Sequence, residues 1–148
     1  MPGVSDSSPL LYLALLGDLN LLPSLFGNIS IPQAVWQELV IDGCGRPGAS
    51  EAEKARGDWL AVRTVSNRDE VAELTSQRLE LGETEAIVLA EESNVRTVFM
   101  DDEMAVRKAR SRGLIVVRTR AIYIAAKEYD WLEVGRVAAP AMASCLPQ

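Results

Sequence analysis

The feature that most constrains this chain is an alternation. Short runs of strand-forming residues are each followed by helical stretches. "GVSDS" (3–7), "NISI" (28–31), "LAVRTV" (60–65), "VRTVFM" (95–100) and "LIVV" (114–117) read as strands, rich in Val, Ile and Thr. Between and after them, "PLLYLALLG", "LNLLPSLFG", "PQAVWQELV", "EAEKARGDW", "DEVAELTSQRLELG", "ETEAIVLAEESN", "EMAVRKARSRG" and "AIYIAAKEYDWL" read as helices. Strands joined through helices form a parallel sheet covered on both faces, because a parallel connection needs a crossover. The expected fold class is therefore α/β, a three-layer α/β/α arrangement around a central parallel sheet.

The 148 residues are expected to form one domain, 1–148, with a poorly defined tail over 133–148. A net charge of −6 gives no general attraction to nucleic acid or anionic membrane. Two cysteines and no histidine make a disulfide scaffold or a structural zinc site a poor fit. Any metal would be hard and held by oxygen. "PLLYLALLG" has no basic residue before it and is shorter than a membrane helix, so neither a secretory signal nor a span is read there, and a cytoplasmic protein is expected.

The acids raise the functional question. Ligands of parallel sheets bind outside the carboxyl ends of the strands. Asp6 follows the first strand, and Asp101 and Asp102 follow the fourth. Glu38 lies about 60° from Val35 on its helix, at the border of the buried stripe. Glu83 aligns with Ala86, Ile87 and Ala90 on the apolar stripe of the next long helix, whereas Glu85 aligns with Val88 and Leu89. Singly, each has an ordinary explanation: a helix cap for Asp6 or Asp102, dipole complementarity for Glu83 or Glu85, a solvated head for Glu38. Converging on one rim without a cation, they would cost several kcal/mol or be forced to protonate. Mg²⁺ or Mn²⁺ is the simplest compensation for carboxylate and water ligands.

The motifs "VSDSSPLLYLA", "ISIPQAVWQELV", "LGETEAIVLAEE" and "TVFMDDEMAVRKARSRGLIVV", in this order, resemble the PIN domain family, metal-dependent ribonucleases that include VapC-like toxins. The subgroup most resembled carries a "GE-x-EAI" motif. The resemblance implies that Asp6, Glu38, Glu83 and Asp101 or Asp102 are catalytic metal ligands, with Ser8 orienting Asp6 and Glu85 a supporting acid. It implies RNA phosphodiester hydrolysis by metal-activated water, leaving a 5′-phosphate and a 3′-hydroxyl. Two features depart from the family pattern. The subgroup's Gly-Thr-x-Gly turn is replaced by "RTRA", Arg118–Ala121, and the tail fits poorly.

Seven of the fifteen basic residues fall between Met104 and Lys127, a stretch with no acid. Of these, Arg107, Arg110, Arg112, Arg118 and Arg120 are expected to contact RNA or, in a toxin, an antitoxin protein. The plain alternative is a solvated basic helix face. Leu10, Leu11, Leu15 and Leu16 are either core or the face of an expected homodimer. The rival function is a PIN-like module that binds protein or RNA without cleaving it. A haloacid-dehalogenase-like phosphatase needs an Asp two residues after Asp6, where Ser8 stands, and a receiver domain would carry its acid pair at the first strand.

Overall fold

The computed structural model describes residues 2–128. In chain order the elements are β1 (Gly3–Ser5), α1 (Ser7–Leu15), α2 (Leu21–Phe26), β2 (Ile29–Pro32), α3 (Gln33–Trp36, continued by a π-helical turn over Gln37–Ile41), α4 (Ala49–Ala55), β3 (Leu60–Arg63), α5 (Arg68–Thr75), α6 (Leu81–Glu92), β4 (Thr97–Phe99), α7 (Glu103–Ser111), β5 (Ile115–Val117) and α8 (Thr119–Glu128). The expected last helix, 121–132, and the tail, 133–148, lie partly or wholly outside the described residues.

The five strands form one sheet in the order β3-β2-β1-β4-β5. Every pairing is parallel, with Val4 opposite Ser30 on one side and Val98 on the other. This is the three-layer α/β/α fold that the alternation predicts. Side chains alternate across a strand, so Val4 and Val98 face a core built with Val71, Leu74, Ile87 and Val106 of α5, α6 and α7. Ile29, Ile31 and Phe99 face the opposite core, with Leu10, Leu13, Leu22 and Ile122 of α1, α2 and α8. Each such buried Leu, Ile or Phe contributes about 1.5–3 kcal/mol. Leu10 belongs to this core, and Leu11 packs against it.

Two glycines matter to the packing. A Cβ at Gly3 would collide with the Phe99 ring, which itself meets Phe26 edge-on at 4.8 Å. Gly27 ends α2 at φ +76°, as its place after the apolar run suggests. Several helices are shorter than their sequence stretches. The run 69–82 breaks after Thr75, reverses through Arg78 at φ +71° and restarts as α6. Periodicity continued across that break because Leu79 is buried in the turn.

The order places a topological switch between β1 and β4. The chain leaves β1 toward β2 and β3, then returns to β4 on the other side. Crossovers therefore diverge there, opening a crevice at the strands' carboxyl ends. The ends are level, with Ser5 opposite Phe99.

Candidate functional site

Asp6 follows β1 directly, at this switch point. Its amide donates to the Phe99 carbonyl at 2.9 Å, and the Ser5 hydroxyl donates to its own carbonyl at 2.8 Å. These bonds continue the β1–β4 pairing by one residue and fix the backbone that carries the carboxylate. Asp6 occupies the N-cap position of α1, yet its side chain makes no capping bond. Only 4% of it is exposed. Burial pushes its carboxyl up to about 7, and the negative charges of Glu83, Glu38 and Glu80 push in the same direction, while the Ser7 backbone amide partly offsets them.

Glu83 comes from the first turn of α6 and is 7% exposed. Its Oε1 accepts from the Glu80 amide at 3.0 Å, which tightens the helix start. Burial raises its carboxyl, the Glu80 amide opposes the rise, and the charges of Asp102, Glu80 and Glu38 add to it. Glu38 arrives from the π-helical turn and is exposed. That turn, closed by the Asp42 amide on the Gln37 carbonyl at 2.8 Å, adds a residue to the helix and changes the direction of what it carries.

Gly82 lies among these acids. A Cβ there would sit 3.3 Å from Asp6 Oδ1, 3.3 Å from Glu38 Oε2 and 3.5 Å from Val35 Cγ2. Glycine at this helical position carries a propensity cost of about 1 kcal/mol against alanine, and here it keeps the space between two carboxylates open. Gly82 and Glu80 were not singled out from sequence. The signal for both was present: an acid at an N-cap, a glycine within the first helical turn, and a second acid three residues after the cap.

Asp6 thus lies in the field of Glu38, Glu80 and Glu83, and Glu83 in that of Glu38, Glu80 and Asp102. Among the described residues none of the five enters an ion pair with Lys or Arg. As placed, no three His, Cys, Asp or Glu side chains among the described residues close on one point at ligating distance. Mg²⁺ does not require such a cage. It is usually held by one or two carboxylates and keeps several waters. The all-oxygen donor set, two buried acids without a cationic partner among the described residues and the gap at Gly82 fit a hard divalent cation.

The surroundings of Glu85, Ser8, Asp101 and Asp102 differ from one another. Glu85 is 4% exposed, with Oε1 accepting from the Ala34 amide at 3.0 Å and Oε2 paired with Arg68 at 2.8 Å. It caps α3 from a neighbouring helix and ties together the elements that carry Glu38 and Glu83. Ser8, half-buried in α1, makes no side-chain hydrogen bond among the described residues; the hydroxyl bonded to Asp6 is that of Ser5. Asp101 turns its carboxylate toward α8, where the Thr119 amide and hydroxyl donate to it at 2.8 and 2.6 Å. Asp102 is exposed and N-caps α7 through Oδ2, accepting from Ala105 at 3.1 Å.

The five arginines also divide. Arg112 bridges Glu70 and Glu91 at 2.7 and 2.8 Å, and Arg118 pairs with Glu103 at 2.9 Å. Arg107, Arg110 and Arg120 are exposed and form no ion pair among the described residues. Arg110, Arg118 and Arg120 line a groove of 620 Å³ with Tyr12, Asp101 and Thr119. No helix among the described residues is long and apolar enough to cross a membrane.

No curated protein matches the chain. A family model described as DUF3368: PIN domain matches residues 2–143. PIN domains are generally nucleases and typically use divalent metals. With nearly the whole sequence matched and a five-stranded parallel sheet that places acids at its switch point, the chain belongs to the PIN domain family.

Proposed function

We propose that this PIN domain is a metal-dependent endoribonuclease with Asp6, Glu38, Glu83 and the Asp101–Asp102 pair as its acidic machinery. The observation that carries the reading is the arrangement around Gly82. Acids from separate elements meet at the carboxyl edge of the sheet, two of them, Asp6 and Glu83, buried, with no basic side chain paired to them among the described residues. Mg²⁺ or Mn²⁺ bound there would supply Lewis-acid charge to a phosphate and lower the pKa of water. Asp6, held by Phe99 and Ser5, would orient that charge toward the crevice mouth. Glu83 and Glu38 would balance it, and Gly82 leaves room for a scissile phosphate beside them. The chain has no histidine, so an imidazole base plays no part.

Arg107, Arg110 and Arg120, exposed and without an ion pair among the described residues, are the cations suited to hold flanking phosphates through their planar forks. The same surface suits an acidic antitoxin segment, which would make the enzyme the toxin of a pair; growth arrest by the wild type and not by Asp6→Asn is the expected result in cells. A homodimer is the expected assembly, measured by sedimentation. The decisive assay incubates end-labelled RNA and the matching DNA with Mg²⁺ or Mn²⁺, with chelator, and with Asp6→Asn. Metal-dependent RNA cleavage by the wild type alone is expected. Cleavage that survives chelation or a folded Asp6→Asn would overturn the proposal, and binding without cleavage would favour the non-catalytic module.

A further inference from the structure

The neighbours Asp101 and Asp102 leave β4 in different directions. Both oxygens of Asp101 are taken by a single residue, Thr119, through its amide at 2.8 Å and its hydroxyl at 2.6 Å. The Asp101 carbonyl accepts from Arg118 at 2.6 Å, and the other arm of that guanidinium reaches Glu103 at 2.9 Å. The residues on either side of Asp102 are thus both gripped by Arg118–Thr119. The Asp102 side chain is tied through Oδ2 to Ala105 and to no other group among the described residues, and its charge is felt at Glu83.

Arg118 and Thr119 begin the "RTRA" stretch, the departure from the glycine turn. A glycine cannot reach Glu103 or the Asp101 carbonyl with a side chain, so this clasp needs arginine at 118. We infer that Asp101 is a positioning residue and not a metal ligand: with Thr119 and Arg118 it forms a clasp that aims Asp102 at the acid cluster. This rests on the metal-centre reading above. A carboxylate whose two oxygens accept short bonds from a helix start has little left to offer a cation. Its neighbour has an oxygen without a partner among the described residues.

The test is Mn²⁺ affinity, measured by calorimetry on full-length protein, for Asp101→Asn, Thr119→Val, their double variant, Thr119→Ser and Asp102→Asn, with unfolding followed in parallel. A positioning partner of a metal ligand typically costs about tenfold or more in affinity. Asp101→Asn and Thr119→Val should each weaken Mn²⁺ binding by about tenfold with unchanged stoichiometry. The double variant should be no worse than either single, because both break the same contact. Thr119→Ser, which keeps the hydroxyl, should restore wild-type affinity, a rescue that general destabilisation would not produce. Asp102→Asn should lose more than any of them. The inference is overturned if Asp101→Asn abolishes binding while Thr119→Val leaves it intact, since Asp101 would then be a ligand. It is also overturned if both variants only lower stability. If the wild type binds no Mn²⁺, the metal-centre reading fails and takes this inference with it.

Discussion

Asp6→Asn should stabilise the metal-free protein while destroying its function. The Asp6 carboxyl is raised from 3.8 to about 7 in the folded chain, chiefly by burial and then by Glu83, Glu38 and Glu80. Between those values the native state holds a proton that the unfolded chain has released. Stability therefore falls as pH rises from about 4 to about 7, and the penalty is complete above the folded value. At about 1.36 kcal/mol per unit the full shift corresponds to about 4 kcal/mol, an upper bound. Relaxation and water entry reduce such penalties, so a gain of about 2 kcal/mol at pH 8 is the expected size for Asn. With a urea dependence of about 2 kcal/mol per molar, the unfolding midpoint should move up by about 1 M. Below pH 4 the two proteins should unfold together. Saturating Mn²⁺ should stabilise the wild type and leave Asp6→Asn where it was. Asp6→Asn being less stable than the wild type at pH 8 in chelator would refute this, as would a stability difference between the two proteins that does not grow between pH 4 and 7.

Gly82→Ala should keep or slightly raise stability, by up to about 1 kcal/mol from helix propensity. Its methyl, 3.3 Å from both Asp6 and Glu38, should nonetheless cut Mn²⁺ affinity and cleavage by about tenfold, or about 1.4 kcal/mol, seen by titration and single-turnover kinetics. Glu85→Ala should destabilise by about 1–3 kcal/mol in urea, because it strands the partly buried Ala34 amide and unpairs Arg68. Replacing Arg107, Arg110 and Arg120 with Gln should weaken binding of single-stranded RNA in Ca²⁺ and lower the slope of log affinity against log salt by about 0.7 per charge engaged, leaving stability unchanged.

The alternation of strand and helix was legible because hydrophobic periodicity reports directly which residues face a core, and the parallel sheet follows from connection length. Asp6 and Glu83 stood out for a related reason: a carboxylate on an apolar stripe, or at the end of a buried strand, contradicts its surroundings. Glu38 was marked by the border of that stripe, and its final direction depends on a π-helical turn that no pattern announced.

Only the tertiary structure separated neighbours. Glu83 and Glu85 share one helical turn and similar burial, yet one faces Asp6 and the other caps α3, because residues two apart on a helix point in different directions and different elements meet them. Asp101 and Asp102 sit where the strand has ended and neither period of 2 nor of 3.6 applies, so their directions were set by Thr119, eighteen residues on, and by Ala105. Gly82 matters only through what lies across from it. Burial is a local property that composition and period encode. The partner that a buried or capping group finds is decided by which distant backbone the fold sets beside it, and that information appears only once the elements are packed.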